Sequence, residues 1–180
     1  MARIRAGDET AFQEVLTAYF SSIVAYISRL CGDRDAAKDV AEEAFVRLWQ
    51  RRQEWRTEGS IRGFLYRTAR NIAIDQARKE RLRWRWIHTR STVDEPEPPT
   101  PERELEDKEL RLVVDEAIAS LPPRRREAFT LFYFHNLTYR QIAEVMELKP
   151  QAVANYISAA YADLRTRLAP VFPRRDDPER

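Results

Sequence analysis

The sequence predicts an all-α protein of two small helical domains joined by a flexible, acidic, proline-rich linker, the second domain containing a helix-turn-helix. Three observations predict it. Apolar residues recur at the three-and-four spacing of amphipathic helices in window after window. Only four glycines occur in 180 residues, and a third of the chain is charged. Between those helical windows, prolines fill four of the six positions from Pro96 to Pro101 and interrupt any regular pattern.

Gly7-Asp8 opens the first helix, with Asp8 or Thr10 placed to accept from the free amides of its first turn. Phe12, Val15, Leu16, Tyr19, Phe20, Ile23, Val24, Ile27 and Leu30 then mark one apolar face, and Gly32 is placed to end the helix in the left-handed conformation. Asp33 caps the next helix, whose buried stripe is Ala36, Ala37, Val40, Ala41, Ala44, Phe45, Leu48 and Trp49. Its outer face carries Asp35, Asp39, Glu42 and Glu43, then Arg47, Arg51 and Arg52. Acids early and bases late suit the helix dipole, and an acidic ridge also suits a basic partner.

The window from Ser60 to Trp86 is the most informative. Ile61, Phe64, Leu65, Thr68, Ala69, Ile72 and Ala73 form its apolar stripe, with Ser60 as cap. The opposite face carries Arg62, Tyr66, Arg67, Arg70, Asn71, Arg78, Lys79 and Arg81, expected to be exposed. With Arg83 and Arg85 the window holds eight basic side chains against Asp75 and Glu80. A face of one sign attracts phosphate, and Tyr66, Trp84 and Trp86 offer rings on which unpaired bases stack. A solvated charged face is the plainer alternative; the single sign and the interleaved aromatics favour nucleic acid.

Residues 88–109 form the expected linker, since prolines remove amide donors and restrict their neighbours. Charge is segregated along the chain: net +5 over residues 1–87, −5 over 88–110 and +2 over 111–180, for a total of +2. The second domain, residues 110–170, begins with Leu110, Val113, Val114, Ala117, Ile118 and Leu121 on a helix stopped by Pro122-Pro123. A further helix is expected to turn Phe129, Phe132 and Tyr133 inward. Thr138 and Gln141 have capping-box spacing, Glu147-Leu148-Lys149 makes a short turn, and Pro150 suits the first position of a last helix. Val153, Ile157, Ala160, Leu164 and Leu168 continue its stripe. Two helices joined by a three-residue turn, with small Ala143 at their crossing, describe a helix-turn-helix or a plain helical hairpin. Residues 171–180 form an expected disordered tail.

Other classes of function are disfavoured. One cysteine, Cys31, forms no internal disulfide, and with only His88 and His135 beside it there is no zinc-ligand spacing. Paired carboxylates, a nucleophile with its base and a glycine-rich phosphate loop are all missing, so neither an enzyme nor a cofactor is expected. Neither a bilayer-spanning run nor a signal peptide's apolar centre occurs, and the chain is expected in the cytoplasm without membrane insertion.

Four segments resemble the extracytoplasmic-function sigma factors of bacterial RNA polymerase. They are Gly7 to Phe12; Gly32 to Ala36 with Asp39 to Trp49; Phe64 to Asp75; and Leu121 to Phe129 with Thr138 to Ala143. The resemblance implies that Asp39, Glu42, Glu43 and Arg47 bind the clamp helices of the largest subunit of core RNA polymerase. It implies that Arg62, Tyr66, Arg67, Arg70, Asn71, Asp75, Arg78 and Lys79 serve minus-10 promoter DNA, and that the loop from Arg51 to Ser60 is the pocket for a flipped base. The linker then threads the polymerase channel, and an anti-sigma factor is the regulatory partner. The minus-35 face becomes Tyr139, Arg140, Lys149, Gln151, Asn155, Ser158 and Arg165. Many relatives carry arginines or lysines there, whereas Gln151 and Asn155 of this chain suit adenine and its alanines suit thymine methyls. Glu147 stands where a glycine is common, at a cost of about 1 kcal/mol if left-handed. A free-standing helix-turn-helix regulator that does not dock on polymerase is the leading alternative, and a protein-binding helical module a more distant one.

Overall fold

A computed structural model describes residues 2–54, 60–79 and 101–171. These residues fold as eight helices with no strand among them: α1 (Ala2–Arg5), α2 (Glu9–Cys31), α3 (Arg34–Gln50), α4 (Ile61–Lys79), α5 (Pro101–Ala119), α6 (Pro123–Tyr133), α7 (Tyr139–Met146) and α8 (Pro150–Leu168). Trp55, Arg56, Arg81, Arg83, Trp84, Arg85, Trp86, residues 88–100 and the tail from 172 lie outside the described residues.

Most helix ends follow from local chemistry. Asp8 accepts from the Ala11 amide at 3.0 Å, and Gly32 ends α2 at φ 75°. Asp33 Oδ1 accepts from the amides of Asp35 and Ala36, each at 3.0 Å, which starts α3. Ser60 Oγ accepts from the Gly63 amide at 3.5 Å at the start of α4. At α7 both halves of the capping box form: the Gln141 amide donates to Thr138 Oγ1 at 3.3 Å, and the Thr138 amide donates to Gln141 Oε1 at 2.9 Å. Glu147 ends α7 in the left-handed conformation, φ 56°, and Pro150 opens α8. Cys31 is the last residue of α2, half-buried, with its thiol donating to the Asp33 carbonyl at 3.3 Å.

Two expectations about helices are corrected. Helix α5 begins at Pro101, inside the segment read as linker; a proline at the first helical position gives up only an amide that has no partner there anyway. Tyr133 does not point inward but is 59% exposed, its ring stacked on that of Phe129 at 5.4 Å. The inward side of α6 is instead the continuous run Glu127 to Leu131, because this helix is covered on two sides.

Helices α2, α3 and α4 pack on one another through Ile23, Ile27, Val40, Ala44, Leu48, Leu65, Ala69 and Ile72, all at most 2% exposed. In the carboxy-terminal half α8 is the hub, meeting α5, α6 and α7. A smaller cluster of Ile118, Leu121, Phe129, Ala160 and Leu164 lies where α5, α6 and α8 converge. The main core does not stop at the boundary between the halves. Ala128, Leu131, Leu137, Ile142, Met146 and Ile157 belong to the same apolar cluster as the α2–α4 residues, and α7 lies along α4.

Candidate nucleic-acid interface

The basic face of α4 is only partly open. Arg67 and Arg78 are exposed, as is Asp75, which lies 3.8 Å from Arg78. Lys79 is the last residue of the helix. Tyr66 and Arg70, expected in solvent, are instead buried, at 0% and 8% exposure. The reason is the second half of the chain. Arg70 donates from Nε to Glu127 Oε1 at 2.5 Å and from Nη2 to Oε2 at 3.4 Å, a forked contact to both carboxylate oxygens. Tyr26 of α2 donates its hydroxyl to the same Oε1 at 2.9 Å. The Tyr66 hydroxyl meets His135 Nδ1 at 3.0 Å. Arg62 donates to the carbonyls of His135 and Asn136, and Asn71 to Glu147 Oε1 at 3.4 Å.

Burial dominates the electrostatics of this seam. It pushes the Tyr66 phenol up to about 12, against the pull of Arg62, and holds Tyr26 well above its ordinary value, with the Glu127 charge adding to the effect. Burial alone would lower the Arg70 guanidinium, but its hydrogen bonds and attraction to Glu127 win and raise it. His135 is lowered to about 4, first by burial and then by the nearby cations Arg29 and Arg62. Its Nε2 is buried with no hydrogen-bond partner among the described residues.

The acidic ridge of α3 is open. Asp39 and Glu42 are exposed, while Glu43 is half-buried and paired with Arg47 at 2.5 Å. Val46, which the sequence reading passed over, lies on the same side at 51% exposure. Its signal was an apolar residue at the outward spacing 39, 42, 43, 46. On the carboxy-terminal half, Gln151, Asn155, Ser158 and Arg165 are exposed along α8, with Gln151 donating to Asn155 at 3.2 Å. Lys149 is exposed at the head of that helix, and Arg140 is exposed on α7, 3.7 Å from Glu144. Tyr139 is 39% exposed, tilted on Phe132 at 5.3 Å. The structure therefore brings the α8 residues onto one open face and divides the α4 set into open and covered members. Glu127, His135 and Glu147, which cover α4, were not singled out from sequence as site residues. A lone acid after Arg124-Arg125-Arg126 and a histidine three residues before a capping box were the available signals.

No group of three metal-ligating side chains lies together among the described residues, and no helix there is long and apolar enough to cross a membrane. What remains is a two-part helical protein with a basic helix and a helix-turn-helix, a combination suited to a polyanion. The family described as Sigma-70 region 2 matches residues 15–83, and that described as Sigma-70, region 4 matches residues 111–164. The chain belongs to the sigma-70 family of bacterial RNA polymerase sigma factors, in its extracytoplasmic-function group. The RNA polymerase sigma-H factor of Pseudomonas aeruginosa is 28% identical over 183 residues, covering 94% of this chain and 92% of that protein. The Xanthomonas campestris protein named "Probable RNA polymerase sigma factor RfaY" is 29% identical over 171 residues; the alignment covers 93% of this chain but 42% of the relative's length. The sigma factor RpoE of Bartonella quintana, solved with the anti-sigma factor NepR, matches at a TM-score of 0.68 and 18% identity over 88% of this chain and 96% of that one, a likeness of fold.

Proposed function

We propose that the chain works as an alternative sigma factor whose two halves share the task of starting transcription. Residues 1–87 dock on core RNA polymerase and open the minus-10 element; residues 110–170 hold duplex DNA upstream; residues 88–109 connect them. The observation that carries this is the sigma-70 regions 2 and 4 in order on one chain, with an open acidic ridge on α3 packed beside a basic α4. Asp39, Glu42, Glu43 and Arg47 grip the clamp helices, with Val46 adding apolar contact. Arg67, Arg78 and Lys79 attract the phosphate backbone, while Tyr66 and Asn71 give an unstacked strand a ring and an amide in exchange for its lost pairing. Gln151 and Asn155 read base edges, with Arg140, Lys149 and Arg165 on phosphates. The protein contributes recognition and strand separation, and an anti-sigma factor is its regulatory partner.

The test is charge reversal of the ridge. Asp39→Arg with Glu43→Arg is expected to abolish co-purification with core polymerase while leaving the helical circular-dichroism spectrum unchanged, since Asp39 is exposed and the Glu43–Arg47 pair is of the surface kind that contributes about 0.3–0.5 kcal/mol. Undiminished co-purification would instead favour a regulator that binds duplex DNA without polymerase.

A further inference from the structure

We propose that the cleft where α2, α4, α6 and α7 meet is a binding site for a nucleoside di- or triphosphate, with Arg78 and Arg124 holding the phosphates and an apolar floor beneath the nucleoside. The site stands whether or not α4 holds a DNA strand.

The cleft holds about 490 Å³, within the roughly 300–1,000 Å³ that small-molecule sites occupy. Its floor is apolar, formed by Leu30 of α2, Ile74 of α4 and Met146 of α7. One wall is the Arg70–Glu127 pair, whose charges answer each other. Arg78, in the last turn of α4, and Arg124, in the first turn of α6, reach the same cleft and are both exposed. The Arg124 side chain has no ion pair or hydrogen bond among the described residues. Arg78 has only Asp75, 3.8 Å away and also exposed, and so loose a surface pair contributes little. The start of α6 adds positive charge: its first turn carries Arg124, Arg125 and Arg126 with no acid, and Pro122 offers its amides no side-chain acceptor. Cations at that end of a helix oppose its dipole. Asp163 answers Arg125 at 2.7 Å. No carboxylate among the described residues answers Arg126, which donates to the Leu121 carbonyl at 3.1 Å while its Nε is buried without a partner. Burial holds that guanidinium below its ordinary value, and it lines a crevice that shares Leu30, Pro123 and Glu127 with the cleft.

These features select a class of ligand. Guanidiniums without firm counter-charges suit phosphate oxygens, which each can meet through a planar fork of donors. Inorganic phosphate alone would leave the apolar floor bare, whereas a flat body carried on the phosphates covers it, and a nucleoside has that shape. Glu147, also in the lining, accepts from Asn71 through Oε1 at 3.4 Å. Its carboxylate repels phosphate and suits the amino group of a base, which orients the ligand with its phosphates toward Arg78 and Arg124. A ligand held by α4 and α6 together binds best while those helices lie side by side, so its occupancy strengthens their contact by linkage.

The experiment is isothermal titration of the full chain with ATP in low-salt, magnesium-free buffer, where saturable one-to-one binding is expected. Arg124→Gln is expected to weaken it about tenfold or more, the loss of one charge-assisted contact to phosphate. Arg67→Gln removes an exposed arginine of α4 that does not line the cleft, and should change the affinity by less than about twofold. Pyrophosphate, which leaves the floor uncovered, should bind at least about tenfold more weakly than ATP. Should Arg124→Gln fail to fold by circular dichroism, Arg78→Gln carries the same expectation. Absence of saturable heat with ATP overturns the proposal. So does an Arg67→Gln loss equal to that of Arg124→Gln, or pyrophosphate binding as tight as that of ATP, since either describes only the general attraction of a basic surface for anions.

Discussion

Acid should weaken this fold through one residue, His135. The ring is 7% exposed and faces Tyr66 and Arg62 on α4 and Tyr26 and Arg29 on α2, with no acid among these neighbours. A protonated ring would have to donate from both nitrogens, yet only Nδ1 has a partner and two guanidiniums stand nearby. The folded chain therefore holds it neutral down to about pH 4, whereas its ordinary value is 6.5. The contribution is fully present above 6.5 and is lost as the pH falls toward 4, because the unfolded chain binds the proton first. At pH 5 the unfolded ring is almost fully protonated and the folded one about a tenth, which corresponds to roughly 2 kcal/mol. Urea unfolding followed by circular dichroism at pH 8, 7, 6 and 5 reads this loss directly. The control is Tyr66→Phe with His135→Leu, which removes both partners of the buried contact and leaves neither stranded. Asp8 and Asp35 are held below their ordinary range, by the Ala11 amide and by Lys38 respectively, so their losses fall at lower pH and are common to both proteins. The parent should lose about 2 kcal/mol more than the control between pH 8 and pH 5; parallel profiles would refute the reasoning.

Three further outcomes follow from single residues. Glu147→Gly relieves a side chain held at φ 56° and should stabilise the protein by about 1 kcal/mol, less whatever the Asn71 contact contributes, which a urea midpoint measures. On duplexes selected from a random pool, Asn155→Ala should relax preference at one base position by about 1–3 kcal/mol with the salt slope unchanged. Arg165→Ala should weaken binding to all sequences and reduce that slope by about one.

Legibility in this sequence was greatest where a decision is local. Asp8, Gly32, Asp33 and the Thr138–Gln141 pair each satisfy or end a helix within a few residues of themselves, so identity and spacing alone locate those boundaries. The left-handed Glu147 came into view only through the resemblance, as a position where relatives commonly carry glycine. The α8 face was legible for a related reason: once Val153, Ile157, Ala160 and Leu164 are assigned inward, Gln151, Asn155 and Ser158 have nowhere to go but out.

The same logic failed on α4, and the failure is instructive about charged faces in general. Periodicity divides a helix into an apolar stripe and everything else, and it sends everything else to water. Tyr66 and Arg70 fall in the second class, yet both are covered by residues 57 to 69 positions further along the chain. Nothing near Arg70 in sequence announces Glu127, and a guanidinium suited to phosphate is equally suited to carboxylate. A basic, aromatic face therefore specifies the chemistry of its partner and leaves the partner's identity open. In this chain one such partner is built in, with Glu127 on Arg70 and His135 on Tyr66.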